Sequence, residues 1–344
     1  MNRRQFAGAA LASLPLIAVP TAKKSKTCKR DHKTIRPGRL TKGDTIGVIT
    51  PGSFLSDEGL QKAVTNIESL GFTVKLSKNI RKQHGYIAGT DAERLEDIHA
   101  MFEDSKISGI WCARGGYGTG RLLPKLNYKL IKRHPKPLIG YSDITALLNG
   151  IYSKTGLVGF HGPVGASDFT DYAVEHLRKT LMQPQENYTI SPFGGDEKEE
   201  KHEVTVIRQG SATGKIVGGN LSLLAAAAGT PYEPNYKNKI VFIEDVGEKP
   251  YRIDRMLTQL RQAGKLHHAA GILLGRFNDC EAKEDDLSLT LAQTLTDRLG
   301  DLGIPVLSGF SFGHISNQIT IPIGTKVTMN TKTKTLTIIN AGVR

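Results

Sequence analysis

Short apolar runs alternate with stretches of helical spacing along most of the chain. Thr45–Thr50 is an apolar run that stops at Pro51-Gly52-Ser53, and Leu60–Leu70 then carries apolar residues at helical spacing. Phe72–Leu76 alternates as a strand does. Thr90-Asp91-Ala92-Glu93 has the form of a capping box and predicts a helix through Met101 and Phe102. Ile107–Cys112 predicts a third strand, which runs into Ala113-Arg114-Gly115-Gly116-Tyr117-Gly118-Thr119-Gly120. A helical stretch then extends to Arg133, followed by a short strand at Leu138-Ile139, a turn holding Ser142, another helix, and Leu157–Phe160. This alternation predicts an α/β fold whose parallel sheet carries helices on both faces. Ligands of such sheets lie outside the carboxyl ends of the strands. The Gly115–Gly120 loop and Ser142 both fall at such ends, so one crevice can serve both.

The alternation fades over residues 166–209, where Ser191–Asp196 and the charged run Glu197–Glu203 predict an exposed connection. A second unit begins near Gly210 and carries Gly218-Gly219-Asn220-Leu221. Ile240–Ile243 predicts a strand capped by Glu244-Asp245, Pro250–Leu260 a helix, and Gly271–Leu274 and Pro305–Leu307 two further strands. The last of these leads into Ser308-Gly309-Phe310-Ser311-Phe312-Gly313-His314. Ile319–Ile339 alternates with turn residues and predicts antiparallel hairpins. The expected organisation is a leader over 1–22, a basic linker over 23–40, a nucleophile-bearing unit over 41–165, the connection over 166–209, and a C-terminal unit over 210–344.

Charge changes this picture only at the amino end. The chain carries a formal net charge of +13, but residues 1–36 alone hold nine Lys/Arg against one acidic residue. The body is mildly basic, which argues against a nucleic-acid face. The leader reads Met1-Asn2-Arg3-Arg4-Gln5-Phe6 and then small and apolar residues to Pro20. Paired arginines before a weakly hydrophobic stretch resemble a twin-arginine export signal and predict a periplasmic or exported protein, or a cytoplasmic one if the leader is not read. The apolar stretch is too short to span a bilayer, so no stable membrane insertion is expected. Cys28, Cys112 and Cys280 have no ligand spacing for a metal, and no cofactor is expected. Cys112 lies in an apolar run and reads as a buried thiol.

Pro137-Leu138-Ile139-Gly140-Tyr141-Ser142-Asp143 places one hydroxyl at a strand's carboxyl end, ahead of a helix whose free N–H groups suit an oxyanion. Ser142 and Asp143 equally suit a helix N-cap. The Gly115–Gly120 loop lacks the Lys-Ser/Thr of a P-loop and does not match a dinucleotide fingerprint. Its glycines let backbone N–H groups approach a ligand. A serine needs a base and an orienter for that base. Glu244 and His314 also end strands, and the order Ser, Glu, His is used by other α/β hydrolases. His161 follows the strand at Phe160 and competes for the base. His134, His176, His202, His267 and His268 fall in polar or helical surface patterns.

Several separate motifs resemble the LD-carboxypeptidase family of serine peptidases. They are Gly43-Asp44-Thr45, Ile110–Gly118, Gly140-Tyr141-Ser142-Asp143, Phe160-His161-Gly162-Pro163, Gly218–Leu221 and Gly313-His314. The resemblance spans residues 40–340. It implies a flavodoxin-like N-terminal domain and a smaller mixed α/β C-terminal domain, with the active site between them. It implies Ser142 as nucleophile, Glu244 and His314 as its partners, and backbone N–H groups of Gly116 and Asp143 as oxyanion donors. Arg114, whose guanidinium can pair bidentately with a carboxylate, is expected on the substrate with Tyr117 and Asn220. The implied activity removes terminal D-alanine from a murein tetrapeptide without a metal, and the implied assembly is a homodimer. Known members act in the cytoplasm, whereas the leader here predicts export. The rival readings are a hydrolase of peptidyl or aminoacyl-nucleotide antibiotics and a non-catalytic periplasmic peptide binder.

Overall fold

Strand β1 (Thr45–Ile49) buries four of its five residues, as a strand covered on both faces does. The computed structural model describes residues 32–195, 203–283 and 286–344. The proposed leader and Cys28 therefore lie outside the described residues, as does His202. Helix α1 (Asp57–Ser69) starts at Ser56, whose side chain accepts from the Gly59 N–H. It leads to β2 (Thr73–Leu76), which pairs in parallel with β1. Helix α2 (Asp91–Glu103) opens with the predicted capping box, in which Thr90 and Glu93 each satisfy the other's backbone N–H. Strand β3 (Gly109–Cys112) flanks β1 on its other side. After two short 3₁₀ turns and α3 (Tyr128–Arg133) come β4 (Leu138–Gly140), α4 (Ile144–Thr155) and β5 (Phe160–His161). The parallel order is β2-β1-β3-β4-β5, the flavodoxin-like order. Its switch point lies between β1 and β3, so the carboxyl ends of those strands open a crevice.

The second sheet is mixed. Helix α5 (Asp171–Leu177) is followed by β6 (Tyr188–Ile190), β7 (Thr205–Arg208), β8 (Ser211–Asn220) and α6 (Leu221–Ala227). Then come β9 (Lys239–Val246), α7 (Pro250–Gln262), β10 (Gly271–Asn278), α8 (Leu291–Leu299) and β11 (Val306–Ser308). The chain ends in β12 (Ile321–Pro322), β13 (Lys326–Asn330) and β14 (Thr335–Ile338), with β13 and β14 forming the predicted hairpin. Strands β8 to β11 run parallel, and the order is β6-β14-β13-β8-β9-β10-β11-β7.

Three boundaries differ from the expectation. The stretch 166–209 is more than a connection: it supplies α5 and both outer strands of the second sheet, because β6 pairs with β14 and β7 with β11. The described end of the basic linker is part of the body. Ile35 bridges Leu157, and Leu40 is fully buried with its N–H on the Leu181 carbonyl. The C-terminal segment also returns to the first sheet, where β12 pairs antiparallel with β5.

Helix α4 joins the two sheets. Its Thr145 hydroxyl accepts from the Asn220 N–H at 3.1 Å, and Asn149 Nδ2 donates to the Gly218 carbonyl at 2.8 Å. A side chain on Gly219 would meet Thr145 Oγ1 at 2.5 Å, so only glycine permits that approach. The helix that starts beside Ser142 is thereby fixed to the end of β8. Asn220 of β8 is in register with Glu244 of β9. Among the described residues no helix is long and apolar enough to cross a membrane.

Candidate active site

Ser142 stands between β4 and α4 with φ of 63°, a left-handed conformation that a non-glycine residue rarely adopts. It is not a helix cap: Asp143 occupies the N-cap position and makes no side-chain capping bond. The turn is the strained strand-to-helix elbow that lifts a hydroxyl clear of the sheet. Gly115 makes room for it, since a Cβ there would lie 2.9 Å from Ser142 Cβ.

Glu244 is fully buried near the carboxyl end of β9, ahead of the equally buried Asp245. His314 lies on the loop after β11, where Phe310 N–H bonds the Leu274 carbonyl and Arg276 N–H bonds the Phe312 carbonyl. Gly313 has φ of 119°, and a Cβ there would press on the Arg276 carbonyl at 2.9 Å and on Glu244 at 3.2 Å. Glycine before the histidine is thus what lets the ring face the carboxylate. Ser316 Oγ donates to Asp168 at 3.0 Å, which ties the same loop to the first half of the chain.

The three side chains form one hydrogen-bonded line. His314 Nδ1 is 2.8 Å from Glu244 Oε2, and His314 Nε2 is 3.0 Å from Ser142 Oγ. An ionised carboxylate only accepts, so the Nδ1 proton belongs to the imidazole and Nε2 is left to accept from the serine. Burial pushes the Glu244 carboxyl above its usual range, and the His314 hydrogen bond pulls it back. Tyr141 packs edge-on against the imidazole, with ring centres 4.9 Å apart. This arrangement can remove a proton from Ser142, hold the resulting imidazolium, and return the proton to a leaving group.

The two expected oxyanion donors lie next to Ser142, since Asp143 follows it and Gly116 follows Gly115, which abuts it. Neither the Gly116 nor the Asp143 N–H has an acceptor among the described residues. The Asp143 side chain, which the sequence did not single out, fastens the glycine-rich loop to the elbow. Its Oδ2 accepts from the Thr119 N–H at 2.9 Å, while its own carbonyl accepts from Thr119 Oγ1 at 2.5 Å. Burial raises the Asp143 carboxyl, opposed by the bonds from Thr119 and Gly118. Ser53 supports the loop from below: its N–H bonds the Gly115 carbonyl at 3.0 Å and its hydroxyl accepts from the Tyr117 N–H at 3.1 Å. The Pro-Gly-Ser ending of β1 was the only sequence signal for that role.

Arg114 is exposed, donates to the Phe54 carbonyl at 3.0 Å, and has no acidic partner among the described residues. Its charge is available at the rim of the crevice. Tyr117, three residues further on, is exposed as well. Asn220 is placed differently from the expectation of a substrate contact. It is buried, with Oδ1 accepting from the Leu223 N–H and Nδ2 donating to Asp245 at 2.8 Å. It caps α6 and holds the end of β8 beside Glu244.

His161 does not compete for the base. It is fully buried, neither ring nitrogen has a hydrogen-bond partner among the described residues, and it packs edge-on against Tyr141, Phe242 and Phe312. Burial first and the nearby His314 second push its pKa down to about 3. His176, read as a surface residue, is also buried, and its Nδ1 lies 2.6 Å from Tyr188 Oη. Burial pushes its pKa down to about 4. Both rings therefore stay neutral in the fold where the unfolded chain binds protons, so stability rises with pH across that window and falls on acidification. Between pH 7 and 5.5 each should cost up to about 1.4 kcal/mol per pH unit below its unfolded value. Urea midpoints at the two pH values check this: His161→Phe should reduce the difference, and an unaltered difference would rule the ring out as a source.

Among the described residues no group of three His, Cys, Asp or Glu side chains comes together as a metal site. The model of the LD-carboxypeptidase N-terminal domain matches residues 46–162, and that of the C-terminal domain matches residues 213–329. A protein of Bacillus subtilis named a probable murein peptide carboxypeptidase is 44% identical over 313 residues, covering 90% of this chain and 95% of the relative. The murein tetrapeptide carboxypeptidase of Pseudomonas aeruginosa is 32% identical over 287 residues, covering 81% and 91% of the two chains. Among solved structures, MccF in complex with glutamyl sulfamoyl guanosine superposes with a TM-score of 0.82 at 27% identity, covering 90% of this chain and 99% of that one. With both domain models matched in order and the two-sheet fold shared, the chain belongs to the LD-carboxypeptidase family.

Proposed function

We propose that this peptide hydrolase is a serine LD-carboxypeptidase that releases the terminal D-alanine of a murein tetrapeptide through an acyl-enzyme. The unbroken line Ser142–His314–Glu244, at 3.0 and 2.8 Å, carries the reading. His314 accepts the Ser142 proton as the oxygen attacks the scissile carbonyl. As the Oγ–C bond forms, the C=O π pair moves onto the carbonyl oxygen, and the Gly116 and Asp143 N–H groups take the negative charge that develops there. Glu244 stabilises the imidazolium, which then protonates the departing amine. Water repeats the sequence on the ester and frees Ser142. Arg114 receives the terminal carboxylate, whose recognition defines an exopeptidase. The names of the relatives from B. subtilis and P. aeruginosa support the murein peptide as substrate.

Stereochemistry gives the test. A carbonyl held on two fixed donors fixes the side chain on its acyl side, and inverting that centre moves the carbonyl off them. A displacement of about 1 Å costs roughly 100-fold. Offered at equal concentration, a tetrapeptide ending in diaminopimelate–D-alanine should yield D-alanine, and a pentapeptide ending in D-Ala-D-Ala should be spared. Preferential cleavage of the pentapeptide would reverse the assignment. Cleavage of an aminoacyl sulfamoyl nucleotide with neither peptide touched would favour the second reading, which the likeness to MccF supports.

We further propose that the leader directs export of the folded protein. Replacing Arg3 and Arg4 with lysine should leave the protein in the cytoplasm, and unaltered fractionation would exclude a twin-arginine route.

A further inference from the structure

Two large aromatic side chains stand in solvent beside the oxyanion loop. Tyr86 is 64% exposed and Tyr117 54%, and their rings meet edge to face with centres 5.4 Å apart and planes at 68°. Single exposed apolar residues need no explanation, but a contiguous pair at the rim of a crevice marks a binding surface. Both rings are carried on fixed backbone. Tyr86 tips a tight turn in which His84 and Ile87 exchange backbone hydrogen bonds at 2.8 and 3.2 Å, and Gly85 supplies the left-handed φ of 59°. The Ala88 N–H anchors that turn to the Gly52 carbonyl at 2.9 Å. The Tyr117 N–H is held by Ser53, so the two rings rest on the same Pro51-Gly52-Ser53 turn that supports Gly115. Arg121 lies within electrostatic reach of both hydroxyls and is itself fixed by Asp91 at 3.0 and 3.3 Å.

We propose that Tyr86 and Tyr117 form a saccharide subsite, which takes the N-acylated amino sugar attached to the amino end of the substrate peptide. The inference rests on the murein-peptide reading and adds the part of the substrate that lies beyond the peptide. Gly115 and Gly116 separate Arg114 from Tyr117 in the chain, so the Gly116 N–H that faces the scissile carbonyl lies between the two side chains. A terminal carboxylate on Arg114 therefore sends the acyl part of the peptide toward Tyr117. Tyr117 lies two residues from Gly115, at most about 7.6 Å of backbone, and Gly115 abuts Ser142. The Tyr86 ring centre lies 5.4 Å from that of Tyr117. An extended stem of three residues spans about 10–11 Å, which brings its amino end, and the sugar on it, over the pair. The C–H-rich face of a pyranose suits the electron-rich face of an aromatic ring, and the phenol and guanidinium groups at the margin suit its hydroxyl and acyl oxygens.

Binding to the Ser142→Ala protein, measured by calorimetry, tests this without turnover. The probes are N-acetylmuramyl-tetrapeptide and the same free tetrapeptide. The sugar-linked peptide should bind about tenfold more tightly. Adding Tyr86→Ala should bring the two affinities to within about twofold, whereas Tyr86→Phe, which keeps the ring, should retain the preference. Equal affinities for the two probes, binding of neither, or a preference that survives loss of both rings would overturn the subsite. D-alanine release by the unaltered enzyme is read separately, so failure of the subsite and failure of the activity are told apart.

Discussion

Ser142→Ala is expected to lower kcat by about a millionfold, the scale seen when the nucleophile of a serine peptidase is removed. Among the described residues the neighbouring hydroxyls of Thr119 and Ser53 are already engaged. Thr119 is buried with its hydroxyl on the Asp143 carbonyl, and the Ser53 hydroxyl is occupied by Tyr117. The Gly116 and Asp143 donors remain, so a residual rate of about a thousandfold over water should survive. The variant should fold at least as well as the parent. A φ of 63° strains any residue with a Cβ, and alanine removes no hydrogen bond other than the one to His314. Thermal unfolding and tetrapeptide binding, both measured on the variant, should therefore change little while turnover disappears.

Glu244→Gln is expected to cost about ten-thousandfold in kcat with little change in KM. The carboxylate does its work in the transition state, when the imidazole becomes positive, and an amide in its place carries no charge and can hold the wrong tautomer. The same substitution should leave the unfolding temperature unchanged or raise it. Glu244 is fully buried, and burial opposes its charge more strongly than His314 supports it. A neutral side chain of nearly the same shape removes that cost. A fall in activity that tracked a fall in stability would instead make Glu244 structural.

The line of three was legible because each member ends an apolar run, and an α/β sheet gathers its strand ends on one side. The alternation of runs likewise foretold the parallel first sheet, and the Thr90–Glu93 spacing foretold the start of α2. The elbow itself was hidden: serine is an ordinary N-cap residue, and only the backbone shows it at positive φ with Asp143 turned to the glycine loop. Contacts between distant segments were equally silent. Nothing local in Tyr188–Ile190 or Thr205–Arg208 says that they complete a sheet begun elsewhere, since their partners are β14 and β11. His176 was misjudged for the same reason, because Tyr188, which covers it, comes from another element. Asn220, expected on the substrate, follows two glycines at the end of β8. Those glycines admit Thr145 and the β9 backbone, and the buried amide bonds Asp245 and the Leu223 N–H and supports Glu244.

On the proposed mechanism Ser142 Oγ forms the covalent bond of the acyl-enzyme. Treating the protein with a fluorophosphonate and mapping the adduct by mass spectrometry, while following D-alanine release from the tetrapeptide, tests it most directly. One adduct is expected, on the peptide containing Ser142, forming in step with the loss of activity and absent from the His314→Ala protein. Full modification of Ser142 with D-alanine release intact would contradict it.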